Sequence, residues 1–411
     1  MPETTHYPGL RALLNEIGSK LKPRVRCVIN PKDEGAGIPD GGLYTPDQLP
    51  KSGDLEPPLD TLPARGAIEA KPTNRDAFDV AKSGQVAKYL TRYRQVLVTN
   101  FRDFVLVALD GDGNRRILES YRLAVDEGSF WNAAAHPRAM ADREGERFAD
   151  FLRRVILHAA ELTQPKDVAA FLASYAREAR WRVERHDLAA LAALREALEQ
   201  ALGLKFEGKD GDHFFRSTLV QTLFYGAVAA WVLWSKEHPP SDRKAKFDWR
   251  LAGYHLRVPI VSVLFHQLIE PTQLKTLGVD EVLDWAGDVL NRIDRAAFFE
   301  AFEEQQAVQY FYEPFLEAYD PDLRKQLGVW YTPPEIVSYM VERVDSVLRS
   351  ELDIADGLAD SRVFVLDPCC GTGSYVVEVL RRIEKTLTDK GKSALTANAV
   401  KKAAMERVFG F

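Results

Sequence analysis

Arg362–Leu380 reads RVFVLDPCCGTGSYVVEVL, and this stretch decides the fold class. Arg362 to Leu366 is a largely apolar run suited to a buried parallel strand. Gly371 and Gly373 follow in a turn where the missing Cβ atoms let a ligand approach the backbone. From about Ser374 to Leu387 the apolar residues return at helical spacing. Strand, glycine turn and helix make up the unit of open α/β sheets, which bind ligands beyond the carboxyl ends of their strands; Asp367 stands at that end. A dinucleotide fingerprint needs a third glycine where this chain has Val376, which argues against NAD or FAD. A second helix is expected over Ala394–Met405, and Val408–Phe411 reads as the start of another strand.

Just upstream lies GVWYTPPEIVSYMVERV, Gly328–Val344. Thr332, Pro333 and Glu335 form a helix start, with Ile336, Val337, Met340, Val341 and Val344 expected on the buried side. Thr332 can act as a plain cap. A helix N-terminus also offers free N–H groups to an anion such as a carboxylate.

Going outward, the 411 residues correspond to two or three domains of about 150 residues each. With 46% hydrophobic and 28% charged residues there is material for real cores, and a disordered chain is excluded. The 3 cysteines exclude a disulfide scaffold and suit a reducing cytosol, so a cytoplasmic location is expected. No Cys or His pair has zinc-ligand spacing. The net charge of −6 gives no global basic signature for nucleic acid, although a DNA enzyme can confine its positive charge to a groove. Ser217–Ser235 carries no charge and approaches membrane-span length, but its Gln221, Tyr225 and small residues favour a buried helix. No membrane partner is expected.

Three regions emerge. Residues 1–122 mix short elements: a helix over Gly9–Leu21, strands at Arg24–Ile29, Gly42–Tyr44, Ala67–Ala70, Val96–Thr99 and Phe104–Leu109, and a helix over Val80–Arg94. Residues 123–320 read as an all-helical connector, with stripes at Asp142–Leu162, at Leu188–Leu202 behind an Asp187 cap, and at Val282–Ile293. Residues 321–411 return to α/β.

The first region holds GIPDGGLYT, ARGAIEAK and GQVAKYL. Glu69 and Lys71, two apart on a strand, share a face. With Asp40 they suit metal-assisted phosphodiester hydrolysis, in which Asp40 and Glu69 offer oxygen ligands to Mg2+ and Lys71 orients water or neutralises developing charge. A surface ion pair between Glu69 and Lys71 is the plainer alternative. These residues resemble the PD-(D/E)XK nuclease superfamily over roughly residues 9–110: Pro39-Asp40 matches its PD element, Glu69-Ala70-Lys71 its ExK, and Gln85 with Tyr89 its QxxxY. Glu16 stands where some relatives carry a further acid, though a solvated helix face explains it as well.

DPCCGTGSY and GVWYTPPE resemble, in this order, the cofactor motifs of adenine-specific DNA methyltransferases, and FYEPFLEAYDPDLRKQLGVWYTPPEIV is like the single-chain and type I-like restriction–modification enzymes. The resemblance implies that Asp367, Gly371 and Gly373 line a site for S-adenosylmethionine, and that Tyr331, Thr332 and Pro333 hold its amino-acid end. That family also carries an (N/D/S)PP(Y/F) loop for the flipped adenine, which these residues lack.

The expected architecture is therefore a PD-(D/E)XK-like α/β domain, a helical connector, and the start of a Rossmann-like methyltransferase domain, with more polypeptide expected after Phe411. The expected function is restriction–modification or phage defence on double-stranded DNA, alone or with defence-system partner proteins. A defence methyltransferase whose nuclease-like front is an inactive DNA-binding module is the alternative.

Overall fold

The computed structural model describes residues 3–29, 39–49, 57, 61–110, 113–240, 242, 245–256, 259–269, 271–302, 311–326, 332–371, 373–391 and 396–411. The chain divides into two compact units, Met1–Ala301 and Phe302–Phe411.

The first unit is built on a mixed sheet of six strands in sequential order: β1 (Arg26–Ile29), β2 (Gly41–Tyr44), β3 (Ala67–Ala70), β4 (Gln95–Thr99), β5 (Asp103–Leu109) and β6 (Arg115–Arg122). Every pair is antiparallel except β3 and β4. That parallel pair needs a crossover. Helices α2 (Ala77–Ala81) and α3 (Gly84–Leu90) supply it. One helix was expected over Val80–Arg94; instead Asp76 caps α2 and Ser83 caps α3, so the chain restarts its helix at Ser83. Strand β6 was not anticipated. Its RRILESYR sequence is charged and its outer half exposed, as suits an edge strand.

Strand alternation sorts the core into two layers. On one face Ile68, Leu97, Leu106 and Tyr121 pack against Leu10, Leu14 and Ile17 of α1 (Tyr7–Ser19) and against Phe151, Leu152, Val155 and Ile156 of α5 (Pro137–His158). On the other, Ala67, Val96, Val98, Val105 and Val107 meet Val80, Val86, Tyr89 and Leu90 of the crossover. Helix α4 (Glu127–Ala134) precedes α5. Thus α5, in the stretch expected to be connector, shares the core of the sheet.

Beyond α5 the unit is helical: α6 (Pro165–Glu184), α7 (Ala192–Leu202), α8 (Gly208–Glu237), α9 (Ala252–His255), α10 (Pro259–Leu268), α11 (Pro271–Leu277), α12 (Val279–Arg292) and α13 (Arg295–Ala301). Asp187 makes no side-chain cap; a 3-10 turn over Leu188–Leu191 precedes α7, which ends at left-handed Gly203. Helix α8 is long and apolar enough to cross a membrane, but 61% of its most apolar window is buried within this fold, with Phe215, Phe224 and Trp231 in the core.

The second unit contains α14 (Glu313–Tyr319), α15 (Pro321–Gln326), α16 (Pro334–Ser350), β7 (Val365–Asp367), α17 (Ser374–Asp389), α18 (Thr396–Glu406) and β8 (Val408–Gly410), with β7 and β8 parallel. Val341, Val363, Val379, Ile383, Ala403 and Val408 form its core. The expected buried face of α16 is corrected: Val337, Val341 and Asp345 face inward, while Ile336, Met340 and Val344 are about half exposed. Asp345 sets this rotation, because its Oδ1 accepts from Leu358 N at 2.8 Å and its Oδ2 from Arg349 Nε at 3.0 Å. The Arg362–Leu366 run is likewise not buried on both faces, since Phe364 is 68% and Leu366 61% exposed.

Candidate functional sites

In the register of β2 and β3, Gly41 pairs with Ile68 and Gly42 with Ala67. One step further, at the bend before β2, stands Asp40, opposite Glu69. Its Oδ2 accepts the Ala70 N–H at 2.7 Å, which ties the carboxylate to the end of β3. Glu69 follows Ala67 by two residues and so points to the face covered by the crossover helices, where it is 1% exposed. Lys71 prolongs the strand, its N–H bonded to Thr99 O at 2.8 Å, and its Nζ lies 2.5 Å from Glu69 Oε1. The side chain of Lys71 keeps 25% exposure, so this is not a free surface pair but an acid inside and an amine at the rim.

The Tyr89 hydroxyl accepts from Gln85 Nε2 at 2.9 Å and lies close to Glu69, whose oxygens, the Lys71 ion pair aside, have no partner among the described residues. Gln85 is exposed and, among the described contacts, bonds Tyr89 and neither carboxylate. Burial pushes the Glu69 carboxyl above its usual range; the Lys71 hydrogen bond opposes this and the nearby Asp40 charge adds to it. Burial pushes the Tyr89 hydroxyl up to about 12, so it stays a donor near neutrality. The structure therefore brings Asp40, Glu69 and Lys71 together, with Gln85 one layer out. Glu16 does not join them through any described contact: it pairs with Lys20 at 3.2 Å on an exposed helix face.

Among the described residues no three His, Cys, Asp or Glu side chains gather as a metal cage. Two carboxylates are nonetheless a sufficient protein share for Mg2+, which keeps several waters and takes further oxygens from phosphate. A buried acid whose ionised form is disfavoured is also a group that a divalent cation would stabilise. The residues present fit such an ion.

In the second unit, Gly371 (φ +54°) and Gly373 (φ +83°) both adopt the left-handed region, and a Cβ on either would meet nothing within 4 Å. Among the described residues the bend is thus an open cradle. Gly373 caps α17, and its N–H bonds Cys370 O at 2.8 Å. Asp367 ends β7; its Oδ1 accepts from Cys369 N at 3.2 Å, while its Oδ2 is buried without a partner among the described residues. An unmet acceptor beside an open glycine turn is suited to a ligand's hydroxyl or amine. Helix α16 is capped by Pro333, not by Thr332. Its Met340 sulfur receives the Tyr375 hydroxyl at 3.0 Å, which docks α16 on the first turn of α17. Thr332 is half-buried and Pro333 exposed, and Tyr331 lies outside the described residues.

Comparisons with known proteins agree with this division. Residues 303–405 match the family model described as N-6 DNA Methylase. A curated relative from Methanocaldococcus jannaschii, a "Putative type II restriction enzyme and methyltransferase RM.MjaORFECS2P", is 24% identical over 41% of this chain and 18% of its own. Among solved structures, one titled as a DrdV–DNA complex covers 100% of this chain and 34% of that chain at 20% identity, with a TM-score of 0.37. The ATP-dependent Type ISP restriction–modification enzyme LlaBIII bound to DNA covers 63% and 16% at 17% identity, with a TM-score of 0.36. This chain thus spans between 16% and 34% of the length of these relatives. The methylase match implies S-adenosylmethionine as the methyl donor. By the family match and the curated relative, the chain is similar to restriction–modification proteins that carry an adenine-specific DNA methyltransferase part.

Proposed function

We propose that the chain serves restriction–modification or phage defence, joining Mg2+-dependent DNA cleavage in a PD-(D/E)XK-like first unit to a Rossmann-like, S-adenosylmethionine-dependent adenine methyltransferase part. The observation that carries the nuclease half is the meeting of Asp40, Glu69 and Lys71 at the end of β3, from segments 30 residues apart. The methylase family match supports the other half.

In this reading Asp40 and Glu69 hold the metal. Bound there, Mg2+ would polarise the scissile phosphate and lower the pKa of a coordinated water. The Ala70 N–H fixes one Asp40 oxygen, so the other is presented at a set angle. Tyr89 stands beside Glu69, and Gln85 holds Tyr89 from outside. Lys71, at the rim, keeps an ammonium charge where negative charge grows on the phosphate. In the second unit Gly371 and Gly373 leave room for the methyl donor, and Asp367 Oδ2 is an acceptor for it.

Cleavage of supercoiled plasmid with Mg2+ or EDTA tests the nuclease half. Wild-type protein should cut only with Mg2+, and Lys71→Ala should lower the rate at least a hundredfold. Equal cleavage by Lys71→Ala, or none by the wild type, would count against it.

A further inference from the structure

The sequence REARWRVERH, Arg177–His186, puts Trp181 among arginines at the end of α6. In the structure this end faces Arg147 of α5 and the turn between α11 and α12, enclosing a cleft of about 560 Å³. Arg147, Arg182, Arg185 and Lys275 line it together with Trp181, and no carboxylate does so among the described residues.

The charges divide into two sets. Glu178, behind the wall, takes two bonds from Arg147 at 2.7 Å each and one from Arg182 at 2.9 Å; Arg182 also reaches Glu281 at 2.8 Å. Despite burial these arginines hold the Glu178 carboxyl down at about 2, so it stays ionised and balances them. Arg185 and Lys275 make no ion pair among the described residues. They are uncompensated cations facing one cavity in a protein whose net charge is −6.

Trp181 sets the ligand class. Its ring carries the Arg147 guanidinium at 3.4 Å and that of Arg185 at 4.7 Å. Its π-surface is engaged in orienting cations and is poorly placed to stack on a base. Oriented guanidinium forks plus an ammonium match phosphate oxygens. We propose that this cleft is a phosphate-binding site, separate from both candidate sites above, with Arg185 and Lys275 as its primary contacts. The phosphates could be supplied by a duplex backbone or by a free polyphosphate, which share this chemistry.

The test is binding by the full chain in EDTA, so that failure of cleavage at Glu69 and Lys71 would not alter the readout. One arm measures anisotropy of a labelled 30-base-pair duplex across 50–200 mM KCl; the other measures ATP by calorimetry. The double variant R185Q/K275Q is compared with wild type and with a charge-matched control, K166Q/K209Q, with thermal melts confirming folding. Loss of two phosphate contacts lowers the salt slope by about 1.8 and duplex affinity roughly tenfold or more. That result in the duplex arm supports the site with DNA as the source. A fivefold or greater loss confined to ATP supports it with free polyphosphate as the source. Equal affinity of R185Q/K275Q and the control in both arms overturns the proposal, as does absence of binding by wild type in both.

Discussion

Replacing Glu69 by glutamine isolates the cost of keeping a carboxylate inside the sheet. Glu69 is 1% exposed, and burial outweighs the help it receives from Lys71, so its ionised form is disfavoured in the folded state. Glutamine keeps the shape and can still accept from Lys71, while Lys71, at the rim, can turn to water. Removing a carboxylate whose ionised form burial disfavours removes its desolvation cost, and Lys71, with 25% exposure, is not left as a buried unpaired charge. At pH 8 without metal, Glu69→Gln should therefore gain about 1 kcal/mol. That corresponds to a melting temperature higher by about 1–3 °C for a unit of this size. The pH dependence follows from the sign of the shift. A carboxyl raised on folding stabilises the protein fully below its unfolded value, about 4.3, and loses this as pH rises through the folded value. The gap between variant and wild type should thus be near zero at pH 4 and widest at pH 8. Adding Mg2+ at ten times its dissociation constant should raise wild-type stability by about 1.4 kcal/mol and the variant by less, closing or inverting the gap. Melting curves at pH 4, 6 and 8, each with and without Mg2+, are the assay. If Glu69→Gln melts below wild type at pH 8 without metal, or if the gap ignores pH, the account of this carboxylate is wrong.

Lys71→Met removes the amine and leaves the acid. Urea unfolding should show a loss of about 1–2 kcal/mol at pH 8 that shrinks as the pH falls and protonation relieves Glu69. Arg154→Met leaves Glu119 buried without the guanidinium that bonds it through Nε at 2.9 and 3.2 Å; the same measurement should report a loss of about 3–5 kcal/mol at pH 7. Gly373→Ala forces a side chain into φ +83° with open space around it, so a strain of about 1–2 kcal/mol should appear in melts, and calorimetry should show weaker S-adenosylmethionine binding.

Much of the first site is legible in the sequence because strand periodicity is local. Glu69 and Lys71 had to share a face, and Gln85 had to lie one turn before Tyr89 on a helix. That Asp40 would meet them depends on the pairing of β2 with β3 across an intervening loop, which composition does not specify. The helix break at Ser83 was hidden because the apolar pattern runs through it, while the cap bond to Val86 N does not show in hydrophobicity. The rotation of α16 does not follow from its apolar residues for a related reason: Asp345 is buried by two bonds that only the tertiary fold provides. The basic cleft is not legible in the sequence because its cations come from α5, the end of α6 and the last turn of α11, each of which looks in isolation like an ordinary charged helix surface.

Helix α5 has two working sides. Phe151, Leu152, Val155 and Ile156 close the sheet, while Asp150 and Arg154 bond Arg177 and the carbonyl of Ser174 on α6. It behaves as an axle shared by two gears. A fragment cut before it, after Arg122 for instance, would expose an oily sheet face to water and should precipitate. Any exchange of the front module between related proteins would have to carry this helix along.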